Sequence, residues 1–160
     1  MIDTKTGTVV LDGVQSITPS LTLDVYLVSP LAQGAQSIGV AADWPRFYVG
    51  KHQIFGDMCT IILMFYKQQL IGIRLGVLHL SIPDPTPDLD DVAAALALKV
   101  RCEAWLAAKL GPPSYFYPWG RIDAVYSPQD ISTGIFVAYP THVHSTAAAT
   151  PSTSTARESS

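Results

Sequence analysis

Residues 58–80 read MCTIILMFYKQQLIGIRLGVLHL, two apolar runs around the polar break Lys67-Gln68-Gln69. Both runs are rich in Ile, Leu and aromatic residues, which suit a pleated, half- or fully buried surface. Helix is the rival reading of 58–66. Gly72 and Gly76 lower its odds beyond the break, since each glycine costs a helix about 1 kcal/mol relative to alanine. The stretch therefore predicts a hairpin, and its near-continuous hydrophobicity predicts a hairpin at the centre of a sheet buried on both faces.

The chain continues with IPDPTPDLDD (82–91), three prolines and four aspartates in ten residues. Thr86 can cap a helix, Pro87 fits a first turn, and Asp88, Asp90 and Asp91 fall where the positive end of the helix dipole favours anions. A helix is expected from Pro87 to Leu110, where Gly111-Pro112-Pro113 supplies a glycine stop and a chain break. Val92, Leu96, Val100, Leu106 and Leu110 share one broad face, with Leu98, Cys102 and Trp105 toward another, so the helix is expected to be buried on two sides. Lys99, Arg101 and Glu103 at its centre make it a poor membrane span.

Beyond the prolines, YFYPWGRIDAVYSPQD (115–130) carries five aromatic residues, and the runs 120–126 and 135–139 flank a Ser/Pro/Asp/Gly loop. Alternation places Ile122, Ala124 and Tyr126 on one strand face and Arg121, Asp123 and Val125 on the other, so a hairpin is favoured over a catalytic loop. Toward the N-terminus, TVVL before Asp12-Gly13 and LTLDVYLV at 21–28 read as strands. In the second, Leu21, Leu23, Val25 and Leu27 alternate onto one face. Residues 29–46 read as a long connection with room for one short strand, and FYVGKHQIFG as the approach to the central hairpin. The last twenty residues hold almost no bulky apolar side chains and read as a flexible tail. The expected architecture is α+β: one domain over 1–140, a mostly antiparallel sheet of about six strands, one long helix before the C-terminal hairpin, and a Ser/Thr/Ala-rich tail over 141–160.

At 160 residues the chain can bury a core without disulfides or metal. Apolar residues make up 48% and charged residues only 14%, so apolar surface is expected to await a partner or a second copy in a homo-oligomer. A net charge of −3 without a Lys/Arg run argues against nucleic acid as a ligand. The acidic excess is local: residues 81–140 hold seven acidic and four basic side chains. Cys59 and Cys102 lie in apolar segments without metal-ligand spacing and read as free, buried thiols in a reducing compartment. The opening MIDTKTGTVVLDG lacks a basic region followed by an apolar run, from which no export signal and a cytoplasmic location are expected.

No motif carries chemistry, and neither a catalytic residue, a metal site nor a cofactor is expected. His142 and His144 have ligand spacing on a strand but no third ligand nearby. His52, His79, Cys59 and Asp57 could form a Cys-His pair only if the fold gathers them, and Cys59 is not placed at a helix N-terminus. Gly72-Ile-Arg-Leu-Gly76 lacks phosphate-loop spacing and reads as strand kinks. Asp84, Asp88, Asp90 and Asp91 lack the ligand order of a calcium loop, leaving helix capping or an acidic contact surface. Tyr115, Phe116, Tyr117 and Trp119 form an aromatic group suited to an interface or to core packing. The partner-binding candidates are therefore Asp84, Asp88, Asp90, Asp91, Tyr115, Tyr117 and Trp119. The competing reading is a small enzyme or ligand binder with a pocket between sheet and helix, using His52, His79 and Arg74.

The order of elements adds a resemblance. The run LIGIRLG (70–76), the helix end EAWLAAKLG (103–111) and FYPWGRIDAVYSPQDISTGIFVAY (116–139) together resemble small bacterial immunity-type proteins. These neutralise a cognate toxin of an interbacterial secretion system, such as type VI secretion, or of a polymorphic-toxin system. The resemblance spans about residues 55–140. It implies a non-enzymatic domain that binds one protein toxin and blocks its active site or conformational cycle. Toxin-contacting positions do not transfer, and the modest charge departs from the strongly acidic immunity proteins that oppose nucleases.

Overall fold

The computed structural model describes residues 1–39, 41–80, 91–129 and 131–140. In chain order these form β1 (Val9–Leu11), β2 (Gln15–Ile17), α1 (Leu23–Leu27), β3 (Gln36–Ser37), β4 (Arg46–Ile54), β5 (Asp57–Tyr66), β6 (Gln69–Val77), α2 (Asp91–Leu110), β7 (Phe116–Tyr117), β8 (Gly120–Ser127) and β9 (Ser132–Ala138). Single 3-10 turns lie at Pro30–Ala32 and Leu78–Leu80. Seven strands form one antiparallel sheet in the order β3-β4-β5-β6-β9-β8-β7, and β1 pairs with β2 apart from it. This is the expected α+β architecture. The count exceeds six because the two-residue strands β3 and β7 extend the edges.

The 58–80 hairpin is β5 and β6, in register from Cys59 opposite Val77 to Tyr66 opposite Gln69. It lies in the middle of the sheet, but only one face is buried. Cys59, Ile61, Leu63 and Phe65 are inaccessible, while Thr60, Ile62, Met64 and Tyr66 between them remain part-exposed. Two-sided burial fails because the covering elements share a side. The Asp57 carboxylate of β5 reaches Trp105 and Lys109 of α2, Thr133 of β9 donates to the Ala95 carbonyl of α2, and Tyr26 of α1 packs at a tilt against Phe47 and Phe65. Burying each large aliphatic side chain on this face contributes about 1.5–3 kcal/mol, and Ile61, Leu63, Ile73, Leu75, Ile122 and Ile135 are all almost fully buried there.

Residues 21–28 are not a strand. Thr22 caps α1, its hydroxyl accepting from the Val25 amide at 3.4 Å. Tyr26 is then buried against Phe47 and Phe65, with ring centroids 4.9 and 5.5 Å away, whereas Val25 and Leu27 are exposed. The cap and one large aromatic anchor outweigh the aliphatic alternation.

α2 ends at Leu110 as expected, with Gly111 at φ +88° and its amide bonded to the Ala107 carbonyl. The start expected at Pro87 falls outside the described residues, as do His142, His144 and the tail. Only one side of α2 is buried, through Ala95, Cys102, Trp105 and Leu106. Val92, Leu96 and Val100 are exposed because no described element crosses the outer side. Among the described residues no helix is long and apolar enough to cross a membrane.

β8 and β9 follow the predicted alternation, Ile122, Ala124 and Tyr126 pairing with Val137, Ile135 and Thr133. Gly120 permits the closest approach: a Cβ there would lie 2.0 Å from the Ala138 carbonyl oxygen, at a φ of +146°.

Candidate binding surface

Directly paired residues of an antiparallel ladder point to the same side, so the registers define the face opposite α2. One row runs Tyr48, Ile62, Arg74, Phe136 and Asp123 across β4, β5, β6, β9 and β8. The next row runs Arg46, Met64, Gly72, Ala138, Arg121 and Phe116, ending on β7. Lys51 and Thr60 extend the face on one side, and Val125 with Gly134 on the other.

Small residues shape its centre. The Phe136 ring lies over Gly72, where a Cβ would meet it at 2.6 Å, and the Arg74 side chain crosses Gly134 to donate to the Ser132 hydroxyl. Met64, Arg74, Val125, Ser127, Gly134 and Phe136 enclose a depression of about 240 Å³. Phe116 is 70% exposed at the β7 edge. Near the other edge Trp44 packs on Tyr66, with centroids 4.6 Å apart. Among the described residues the charged side chains of this face are mostly basic. Arg46, Lys51, Arg74 and Arg121 lie on it, against the single carboxylate of Asp123 among the described residues, which pairs with Arg121 at 2.9 Å.

The aromatic candidates lie beside the N-terminal segment. Trp119 donates its indole N–H to the Thr4 carbonyl at 2.8 Å, lies against the backbone of Gly7, and stacks on Tyr117 with an interplanar angle of 8°. Tyr139 donates to the Gly7 carbonyl, and its burial pushes the phenol pKa up. Tyr115 donates to the Gly111 carbonyl at 2.8 Å. Trp119 and Tyr139, with Leu21, Gln69 and Pro118, line a groove of about 430 Å³. Of the acidic candidates, Asp91 is exposed at the start of α2, on the other side of the sheet from Arg74, and Asp84, Asp88 and Asp90 lie outside the described residues.

The side chains considered for chemistry are not gathered into one site. Cys59 is fully buried, and burial, then the Asp57 charge, pushes its thiol up to about 11. At neutral pH it is a thiol rather than a nucleophilic thiolate. Burial likewise raises Cys102, and both cysteines are free as expected. His52 bonds Asp12 at 2.6 Å and the Val49 carbonyl at 3.1 Å, and His79 lies 3.6 Å from Asp57. Arg74 points to the opposite face from the His52–Cys59 pair, so the pocket imagined for His52, His79 and Arg74 does not form. Asp57 links β5 to α2, whereas the sequence offers it only as a neighbour for the Cys59 and His side chains. Its bonds to Trp105 and Lys109 had no sequence signal, because the spacings are 48 and 52 residues.

No family model matches the chain, and no curated protein matches it. Among solved structures, the chain superposes on a chain of the complex described as Rhs1-CT in complex with cognate immunity protein RhsI1, with a TM-score of 0.58 and 18% identity. The match covers 91% of this chain and 90% of the other. At that identity the likeness establishes a shared fold.

Proposed function

We propose that the protein is a non-enzymatic, protein-binding module that neutralises a cognate bacterial toxin by occluding it. It would act in the cytoplasm, against a toxin delivered between bacteria by type VI secretion or a related system. The observation that carries the reading is the fold match, over nine-tenths of both chains, to a component of a toxin–immunity complex. Of the two roles in such a complex, immunity suits this chain better. Cys59 is held as a buried thiol, His52 is bonded to Asp12 and the Val49 carbonyl, and His79 lies beside Asp57, so the candidates for catalysis do not converge. Among the described residues no element covers the part-apolar sheet face opposite α2.

The test reads the frame directly upstream of this one and, where it encodes a toxin-like C-terminal region, expresses that region. Expressed alone it should arrest growth. Co-expressed with this chain it should not, and the two should purify as a complex of fixed stoichiometry. Continued arrest with no complex, or an upstream frame encoding a metabolic enzyme, would overturn the proposal.

A further inference from the structure

We infer that the sheet face opposite α2 is the surface that receives the toxin, and that the toxin region it receives is acidic around an apolar projection. The inference rests on the toxin-binding reading above and assigns it a surface and a chemistry.

Three observations converge on this face. The first is the shape of the sheet's edges. β3 and β7 are two residues long and too short to template an added strand, so edge backbone is offered only where β4 and β8 run past them. The broad face offers side chains across five long strands instead.

The second is composition. Tryptophan, tyrosine and arginine dominate the energetics of protein interfaces. Trp44, Tyr48, Tyr66 and Arg46 cluster at the β4–β5 end of this face, and the 240 Å³ depression beside Phe136 offers a receptacle for one apolar side chain. Val92, Leu96 and Val100 on α2 are an apolar stripe as well, but no aromatic–arginine cluster accompanies it among the described residues.

The third is charge, and it commits the proposal to a partner. The chain has three more acidic than basic side chains overall, yet the described charges on this face run the other way. Arg46 and Lys51 stand exposed on β4 with no acidic neighbour in their rows, and alone make that end positive. Arg121 lies four strand spacings along the Arg46 row, about 19 Å away, where it pairs with Asp123. A protein placing carboxylates against the Arg46–Lys51 end and an apolar side chain in the depression would match the face. A second copy would bring Arg46 and Lys51 against another positive face if it docked in the same way.

The experiment uses the full chain and the upstream-encoded toxin region, inactivated by substitution so that it can be purified. Val125→Arg fills the depression, and the pair Arg46→Glu with Lys51→Glu reverses the charged end. Leu96→Arg on α2 is the control. Circular dichroism melts confirm that each variant folds, and a variant that does not fold is replaced by Tyr48→Ala. The sheet-face variants should weaken binding about a hundredfold, the charge pair mainly by slowing association about tenfold or more. Leu96→Arg should bind as the parent does. If the parent binds and the folded sheet-face variants bind equally well, this surface is wrong while the toxin-binding function stands. If the parent does not bind, both fall. If the free chain is a dimer that Val125→Arg dissolves without affecting toxin binding, the face belongs to a second copy and the proposal is overturned.

Discussion

Trp105 on α2 donates its indole N–H to the Asp57 carboxylate on β5 across 2.8 Å, and one turn later Lys109 places its ammonium 2.9 Å from the same oxygen. A single side chain thus fastens the helix to the sheet at the edge of the buried face. The Lys109 hydrogen bond, then that of Trp105, holds the Asp57 carboxyl below the usual carboxylate range, against partial desolvation. A folded pKa below the unfolded one, about 3.9, stabilises the fold fully above that unfolded value, and the stabilisation is lost as pH falls through the folded value. Asp57→Asn should lower unfolding free energy by about 1–2 kcal/mol at neutral pH, the range for bonds to a charged group that is not fully buried. The deficit should shrink as pH falls below about 3.9 and through the lower folded value. Urea melts across pH check this, and a deficit that stays constant into acid would show that the charge is not what Trp105 and Lys109 use.

Tyr26 presents the opposite case. Its ring fills the gap between Phe47 and Phe65, but its hydroxyl is buried without a hydrogen-bond partner among the described residues, and burial pushes the phenol up to about 12. Tyr26→Phe removes an unsatisfied polar atom and leaves the packing intact. The variant should melt at or above the parent temperature, with a gain of up to about 1 kcal/mol. A loss of that size instead would reveal a hydroxyl partner. Tyr26→Ala should be severely destabilising, by about 3–5 kcal/mol.

Trp119 links the β7–β8 turn to the N-terminal segment through Thr4 and Gly7. Trp119→Ala should cost about 3 kcal/mol through lost packing. Trp119→Phe keeps most of the ring and should lose about 1 kcal/mol for the missing indole donor. If Trp119→Ala melts like the parent and fails to bind toxin, the residue is an interface anchor rather than a staple. Calorimetry and a binding titration on the same preparation decide between them.

The legible parts of this fold were those where local pattern and tertiary environment agree. The 58–80 hairpin, the stop at Gly111 and the Ile122-Ala124-Tyr126 alternation each carry a short-range signal that the sheet then uses. Failures occurred where one long-range contact decided the outcome. Tyr26 meets Phe47 and Phe65 across 21 and 39 residues and turns 23–27 helical, although the aliphatic alternation of Leu21 to Leu27 reads as a strand. Half-exposed Ile62, Met64 and Phe136 were unreadable for a related reason. Their hydrophobicity equals that of core residues, and only the placement of α1, α2 and β1 on one side shows that they face outward. The basic character of that face was hidden as well, because Arg46, Lys51, Arg74 and Arg121 come from four separate stretches that only the strand order assembles.

The acidic run and the basic sheet face make two rival docking candidates. Asp88, Asp90 and Asp91 precede or open α2, and Asp91 lies on the helix side of the sheet, away from Arg46 and Arg121. If these carboxylates serve the helix dipole, Asn at all three should destabilise the fold by about 0.3–1 kcal/mol for each favourable charge lost. Toxin association should then be unchanged. If they contact a basic toxin cleft, the same triple variant should associate about tenfold or more slowly at low salt, with little change in melting temperature. Both surfaces predict association that slows as ionic strength rises, because steering charges are screened beyond a Debye length of about 10 Å. Salt alone therefore cannot distinguish them, but the sign of the effective substitution can. With binding through the sheet face, Arg46→Glu slows association and the Asp-to-Asn variant does not. Stopped-flow traces of both variants against one toxin preparation, at two salt concentrations, assign the docking side. Slowed association in the triple Asn variant with Arg46→Glu unaffected would move the contact to the α2 side.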